Sequence, residues 1–148
     1  MKYIKTISTV LLFLISTNFA ISQSVYDIIV VGGNPGGIMA AIAAARQNKS
    51  ALILERNSEI GGLPANGLGA TDIATRNATT GLFKEFVNRI SLYYKKTYGN
   101  DSPQALTCSD GYHFEPSIAQ RIFQEMIAEY KNKITIRTLR QFDSDPEN

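Results

Sequence analysis

The stretch from Tyr26 to Gly62 constrains this chain of 148 residues more than any other part of it. It opens on Ile28-Ile29-Val30-Val31, a short, largely β-branched run bounded by glycine, as expected of a strand buried on both faces. Gly32-Gly33-Asn34-Pro35-Gly36-Gly37 follows, then a small-residue helix from Ile38 to Gln47. A second apolar run, Ala51-Leu52-Ile53-Leu54, ends in Glu55-Arg56. Strand, glycine turn, helix and strand make one βαβ unit with a right-handed connection. The fold class is α/β, with a parallel Rossmann-like sheet.

The glycines say what such a unit can hold. A tight turn at a strand's end needs a residue without Cβ, which Gly32 supplies. The following helix offers unpaired N–H groups and the positive end of its dipole, suited to a pyrophosphate. Gly37 lets the helix lie close to the strand, and Ala40, Ala41, Ala43, Ala44 and Ala45 continue that small surface. Glu55 stands 18 residues beyond Gly37, near the offset at which a carboxylate takes the ribose hydroxyls of a dinucleotide. The pattern departs from the usual three glycines at position 34, where asparagine stands. Asparagine tolerates a left-handed backbone better than other non-glycine residues, so the turn is expected to survive. A glycine-rich turn that binds nothing is the alternative; strand, helix and acid in the right order favour dinucleotide binding.

Residues 1–22 read as a signal peptide. Lys2 and Lys5 precede an apolar core from Ile7 to Ile15, and Ala20-Ile21-Ser22 places small residues before a cleavage at Gln23. That core is far short of the ~20 residues needed to span a bilayer, so no stable membrane anchor is expected. Export to the periplasm or outside follows, with residues 23–148 as the working part. The two lysines account for the whole formal net charge of +2. A neutral remainder gives no reason to expect nucleic acid or an anionic membrane as partner. A single cysteine, Cys108, excludes an internal disulfide and reads as a buried thiol.

After Glu55-Arg56 comes Gly61-Gly62-Leu63-Pro64-Ala65-Asn66-Gly67-Leu68-Gly69-Ala70-Thr71-Asp72. Glycine-rich yet poor in charge, and carrying Leu63, Leu68 and nearby Ile73, it suits a packed, ligand-facing loop better than a bare connector. Glu55-Arg56 followed by Gly61-Gly62 is similar to the extension that separates FAD-binding βαβ units from NAD-binding ones. The run Tyr26–Asp72 resembles the FAD-dependent oxidoreductases of the two-dinucleotide-binding-domain flavoprotein superfamily, and most of all exported flavoproteins with this glycine loop. The likeness continues through Tyr112-His113-Phe114-Glu115-Pro116. It implies FAD as cofactor, with Gly32, Gly33, Asn34, Pro35, Gly36 and Gly37 facing its pyrophosphate and Glu55 its adenosine ribose. Gly61, Gly62 and Leu63 would continue toward the flavin. Arg56 would either contact the adenine side or be solvated.

The rest is scaffold by pattern. Gly81 to Tyr98 repeats apolar residues at spacings of three and four (Leu82, Phe83, Phe86, Val87, Ile90, Tyr93, Tyr94), the face of an amphipathic helix. Gly99 to Pro103 is a turn. A second helix runs from Pro116 to about Tyr130, with Ile118, Ile122, Phe123, Met126, Ile127 and Tyr130 inward. Ile134 to Leu139 alternates, giving a third parallel strand and the half-sheet order 3-2-1. His113 lies in a loop, and no catalytic role follows for it. Asn48-Lys49-Ser50 and Asn77-Ala78-Thr79 fit the short glycosylation sequon. No metal-ligand cluster and no acid, base or nucleophile constellation is visible.

The chain thus reads as the amino-terminal part of an exported FAD-dependent oxidoreductase, with the substrate unknown. An open sheet this small leaves an edge unpaired, so a carboxy-terminal half is expected elsewhere and the isolated chain is expected to be inactive. Two other readings stand beside it: a non-catalytic fragment with weak or no nucleotide binding, and a small NAD-binding enzyme. The Gly61-Gly62 extension counts against the last.

Overall fold

The computed structural model describes residues 24–143. The signal-peptide reading of residues 1–22 lies outside them. Three strands form one parallel sheet in the order β1-β2-β3, which is the 3-2-1 half-sheet. They are β1 (Ile28–Val31), β2 (Ala51–Leu54) and β3 (Ile134–Arg137). Ile28 faces Ala51 and Val31 faces Leu54 across the first pair; Ala51 faces Ile134 and Leu54 faces Arg137 across the second. A local clamp pins the first register. The Asp27 carboxylate accepts from the Ser50 N–H at 2.8 Å and from its hydroxyl at 2.7 Å, while the Ile28 N–H donates to the Ser50 carbonyl.

β2 is the central strand and is buried, whereas β1 is not. Ile29 and Val31 are 60% and 61% exposed, against the two buried faces expected for this run. The reason is its place at the open edge of the sheet: its helix covers one face only, on which Val30 meets the core. β3 stops at Arg137, short of the expected Leu139, because Leu139 turns into a left-handed conformation with φ +54°.

α1 (Pro35–Arg46) lies on the sheet through Ile38, Ala41, Ile42 and Ala45. It begins three residues before the helix read from the sequence, with Pro35 in the first turn, where a missing N–H costs nothing. α2 (Gly62–Ala65) is a single turn within the glycine loop. α3 (Gly81–Tyr98) and α5 (Pro116–Ala128) form the second layer, and their rings Phe86 and Phe123 stack at 4.3 Å. Between them, α4 (Pro103–Thr107) is capped by the Ser102 hydroxyl, and a 3₁₀ turn (Ser109–Gly111) rests on α3. Gly111 lies so close that a Cβ there would stand 1.8 Å from the Val87 carbonyl oxygen. The Glu85 carboxylate joins the layers, pairing with Arg46 of α1 at 2.7 Å and with Arg89 of α3 at 2.8 Å.

Candidate dinucleotide site

At the carboxyl ends of β1 and β2 the chain turns sharply twice, and the two turns interlock. Gly32 takes φ +102°, which only glycine adopts without strain. Gly37 then brings α1 against the turn: a Cβ on Gly37 would stand 2.0 Å from the Gly32 carbonyl oxygen. Position 34 corrects the sequence reading. Asn34 is extended, with φ −74° and ψ 173°, so no left-handed residue is required there. Its side chain caps α1 instead, Oδ1 accepting from the Gly37 N–H at 2.9 Å.

Glu55 ends β2 with its side chain folded inward, the residue 6% exposed. Oε2 accepts from the Gly33 N–H at 2.7 Å. Oε1 accepts from the Asn57 N–H at 2.7 Å and from its side-chain amide at 2.8 Å. A carboxylate oxygen offers about two acceptor sites, so Oε1 is saturated and Oε2 keeps one. Burial pushes the carboxyl pKa up, but the N–H groups of Asn57 and Gly33, the Asn57 amide and the nearby Arg56 charge together hold it below the ordinary range.

The second glycine turn docks on the first. The Gly61 N–H donates to the Gly33 carbonyl at 2.7 Å, and a Cβ on Gly62 would stand 3.1 Å from Pro35 Cδ and 3.2 Å from Asn34 Cβ. Farther on, Thr71 and Phe114 exchange backbone bonds with Tyr112 and Gly69, an antiparallel bridge that ties the glycine loop to the scaffold. His113 sits in that bridge with its side chain exposed. Cys108 is buried, its thiol donating to the Ala105 carbonyl.

These elements border one cavity of ≈ 760 Å³. Of the residues singled out in the sequence, Gly32, Asn34, Pro35, Glu55, Arg56, Gly62 and Leu63 line it. Gly33 and Gly61 lie behind that wall and hold it, Gly37 sits under the turn, and exposed Gly36 flanks Asn34. Sequence reasoning missed Asn57, which orients Glu55, and Arg140, Gln141 and Phe142, which close one end. Their placement depends on a backbone reversal: Leu139 donates to the Asn57 carbonyl and Arg140 to that of Glu55. No local pattern announces that reversal. Contacts therefore run in series, from Arg140 through Glu55, Gly33 and Asn34 to Gly62 and Leu63. A polar, anion-friendly turn sits between an acid with a free acceptor and an apolar end.

The FAD dependent oxidoreductase family matches residues 27–141. The chain is 51% identical over 41 residues to a soluble pyridine nucleotide transhydrogenase of Mycobacterium tuberculosis, covering 28% of this chain and 9% of that protein. It is 49% identical over 39 residues to a digeranylgeranylglycerophospholipid reductase of Methanocaldococcus jannaschii, covering 26% and 10%. Among solved structures, THI4 of Thermovibrio ammonificans superposes with a TM-score of 0.47 at 19% identity, over 93% of this chain and 46% of that one. The matched stretch thus spans about a tenth of the length of these curated relatives. With a match across most of its length, the chain belongs to the FAD-dependent oxidoreductase family, and FAD is its cofactor.

Proposed function

We propose that this chain is the FAD-binding portion of an exported oxidoreductase acting on a small molecule. One observation carries the reading: Gly32, Asn34, Glu55 and Gly62 converge on a single cavity. The residues fit the cofactor. The first-turn N–H groups of α1 and the glycine cradle suit the pyrophosphate. The remaining acceptor on Glu55 Oε2 suits one ribose hydroxyl, so Glu55 holds the ribose and braces Gly33 at once. Arg56, Arg140 and Phe142 border the adenine side, and Gly61, Gly62 and Leu63 lead toward the flavin. When bound, the isoalloxazine supplies the redox chemistry, exchanging electrons or a hydride with the substrate.

A second reading is favoured by a specific observation. Ile29 and Val31 of β1, and Leu63 at the cavity's apolar end, are all more than half exposed. Among the described residues the flavin end has no second wall. The isolated chain is therefore expected to turn nothing over, and to bind FAD weakly unless another segment covers that end.

The test is to titrate the chain with FAD, following flavin fluorescence and thermal stability. A ligand that binds only the folded state at 100 times its Kd adds about 2.7 kcal/mol of stability. Saturable binding with a raised melting temperature supports the proposal, and stabilisation by NAD but not FAD would overturn it. Absence of any binding leaves the non-catalytic fragment. Export is checked separately, by amino-terminal sequencing of secreted product, which should begin at Gln23.

A further inference from the structure

Asn34 stands where the usual glycine pattern lets backbone approach the phosphates, and its conformation is one that any residue adopts. Glycine is therefore not needed here for the turn. Instead, a side chain occupies the approach, and its orientation is fixed. The Gly37 N–H can only be met by an acceptor, so Oδ1 takes it at 2.9 Å and Nδ2 must point the other way. Nδ2 lies 3.6 Å from where a Cβ on Gly32 would be, over the turn on the cavity wall. No acceptor among the described residues meets it. Gly62 packs close to Asn34 and Pro35: a Cβ on it would stand 3.2 Å from Asn34 Cβ and 3.1 Å from Pro35 Cδ.

Resting on the FAD reading above, we propose that the Asn34 amide is a pyrophosphate donor, aimed by the helix cap that it makes. The cap consumes the Gly37 N–H, which would otherwise face the anion. Nδ2 restores a donor one side chain farther out, at the positive end of α1. The chain binds its cofactor with a side chain where the usual glycine pattern uses bare backbone.

Asn34→Asp separates the two halves of this role. A carboxylate caps a helix as well as an amide and suits its N-terminus, so the apo protein should melt at an unchanged or higher temperature. Its second oxygen, however, would face the phosphates. Loss of the donor and gain of repulsion should raise the FAD dissociation constant about tenfold or more. Asn34→Gly removes the amide donor but also frees the Gly37 N–H that the cap held, so it should weaken FAD less than Asn34→Asp does. Both variants are titrated with FAD beside the wild type, and their apo melts are recorded. Equal FAD affinity in wild type and Asn34→Asp would reduce Asn34 to a cap and overturn the proposal. Tighter binding by Asn34→Gly would overturn it too, marking the side chain as an obstruction. Failure of the wild type to bind FAD would instead sink the underlying reading, and this inference with it.

Discussion

Glu55 and Gly33 are joined by a 2.7 Å hydrogen bond across 22 residues of chain, from a backbone N–H in the first glycine turn to a carboxylate at the end of β2. The same carboxylate holds Asn57. An acid expected from the sequence to serve a ligand therefore also fastens the two strand ends that shape the site.

Replacing Glu55 by Gln should accordingly lower stability even without cofactor. One of the donors now met by the carboxylate would face an NH₂ group instead. Leaving such a buried donor unmet costs about 1–3 kcal/mol, readable from urea unfolding of the apo chain. A loss confined to FAD affinity, with unfolding unchanged, would contradict the bracing role.

The pH dependence follows with a definite sign. Because the folded-state carboxyl titrates below its ordinary value, its contribution is fully present above the unfolded glutamate pKa of about 4.3. It is lost as pH falls through the lower folded value. Urea midpoints should therefore fall on acidification below about pH 4, and part of that fall should vanish in Glu55→Gln. Identical acid profiles for the two proteins would show that other carboxylates govern it.

Neighbouring glycines of α1 should respond oppositely to alanine. At Gly37 a Cβ would meet the Gly32 carbonyl at 2.0 Å, and the overpacking should cost about 1–3 kcal/mol or more. At Gly36 the nearest atom is Asn34 Oδ1 at 3.4 Å, an ordinary contact, so the better helix propensity of alanine should add up to about 1 kcal/mol. Thermal melts of the two variants decide it. Equal effects would mean that the close approach of α1 to the turn is wrong.

The single thiol provides a probe of the second layer. Cys108 is 3% exposed, so a thiol reagent should modify it only as fast as the protein opens, and promptly in urea. Native modification at the denatured rate would place Cys108 on the surface.

How much was legible from the residues depended on what each element needs. β1, β2 and α3 declare themselves through local pattern, and their observed bounds are those read from the sequence. The start of α1 hid behind Gly36-Gly37, poor helix formers held by the Asn34 cap and Pro35. α4 was hidden because the signals at Ser102-Pro103, which also start helices, were read as a turn. In the site, the glycines and Glu55 were legible because they answer to spacing. Asn57, Arg140 and Phe142 were not, since only the backbone reversal after β3 brings that segment beside Glu55. The exposure of Ile29 and Val31 was missed because hydrophobicity reports that a strand prefers cover, not that a neighbour supplies it.

That preference has a colloidal consequence. β1 presents its outer row of N–H and C=O groups beside exposed Ile28, Ile29 and Val31, without a charge in the strand to deter a visitor. Such an edge recruits any extended segment that reaches it. Shelf life in solution should thus depend on protein concentration more steeply than folding stability alone would set.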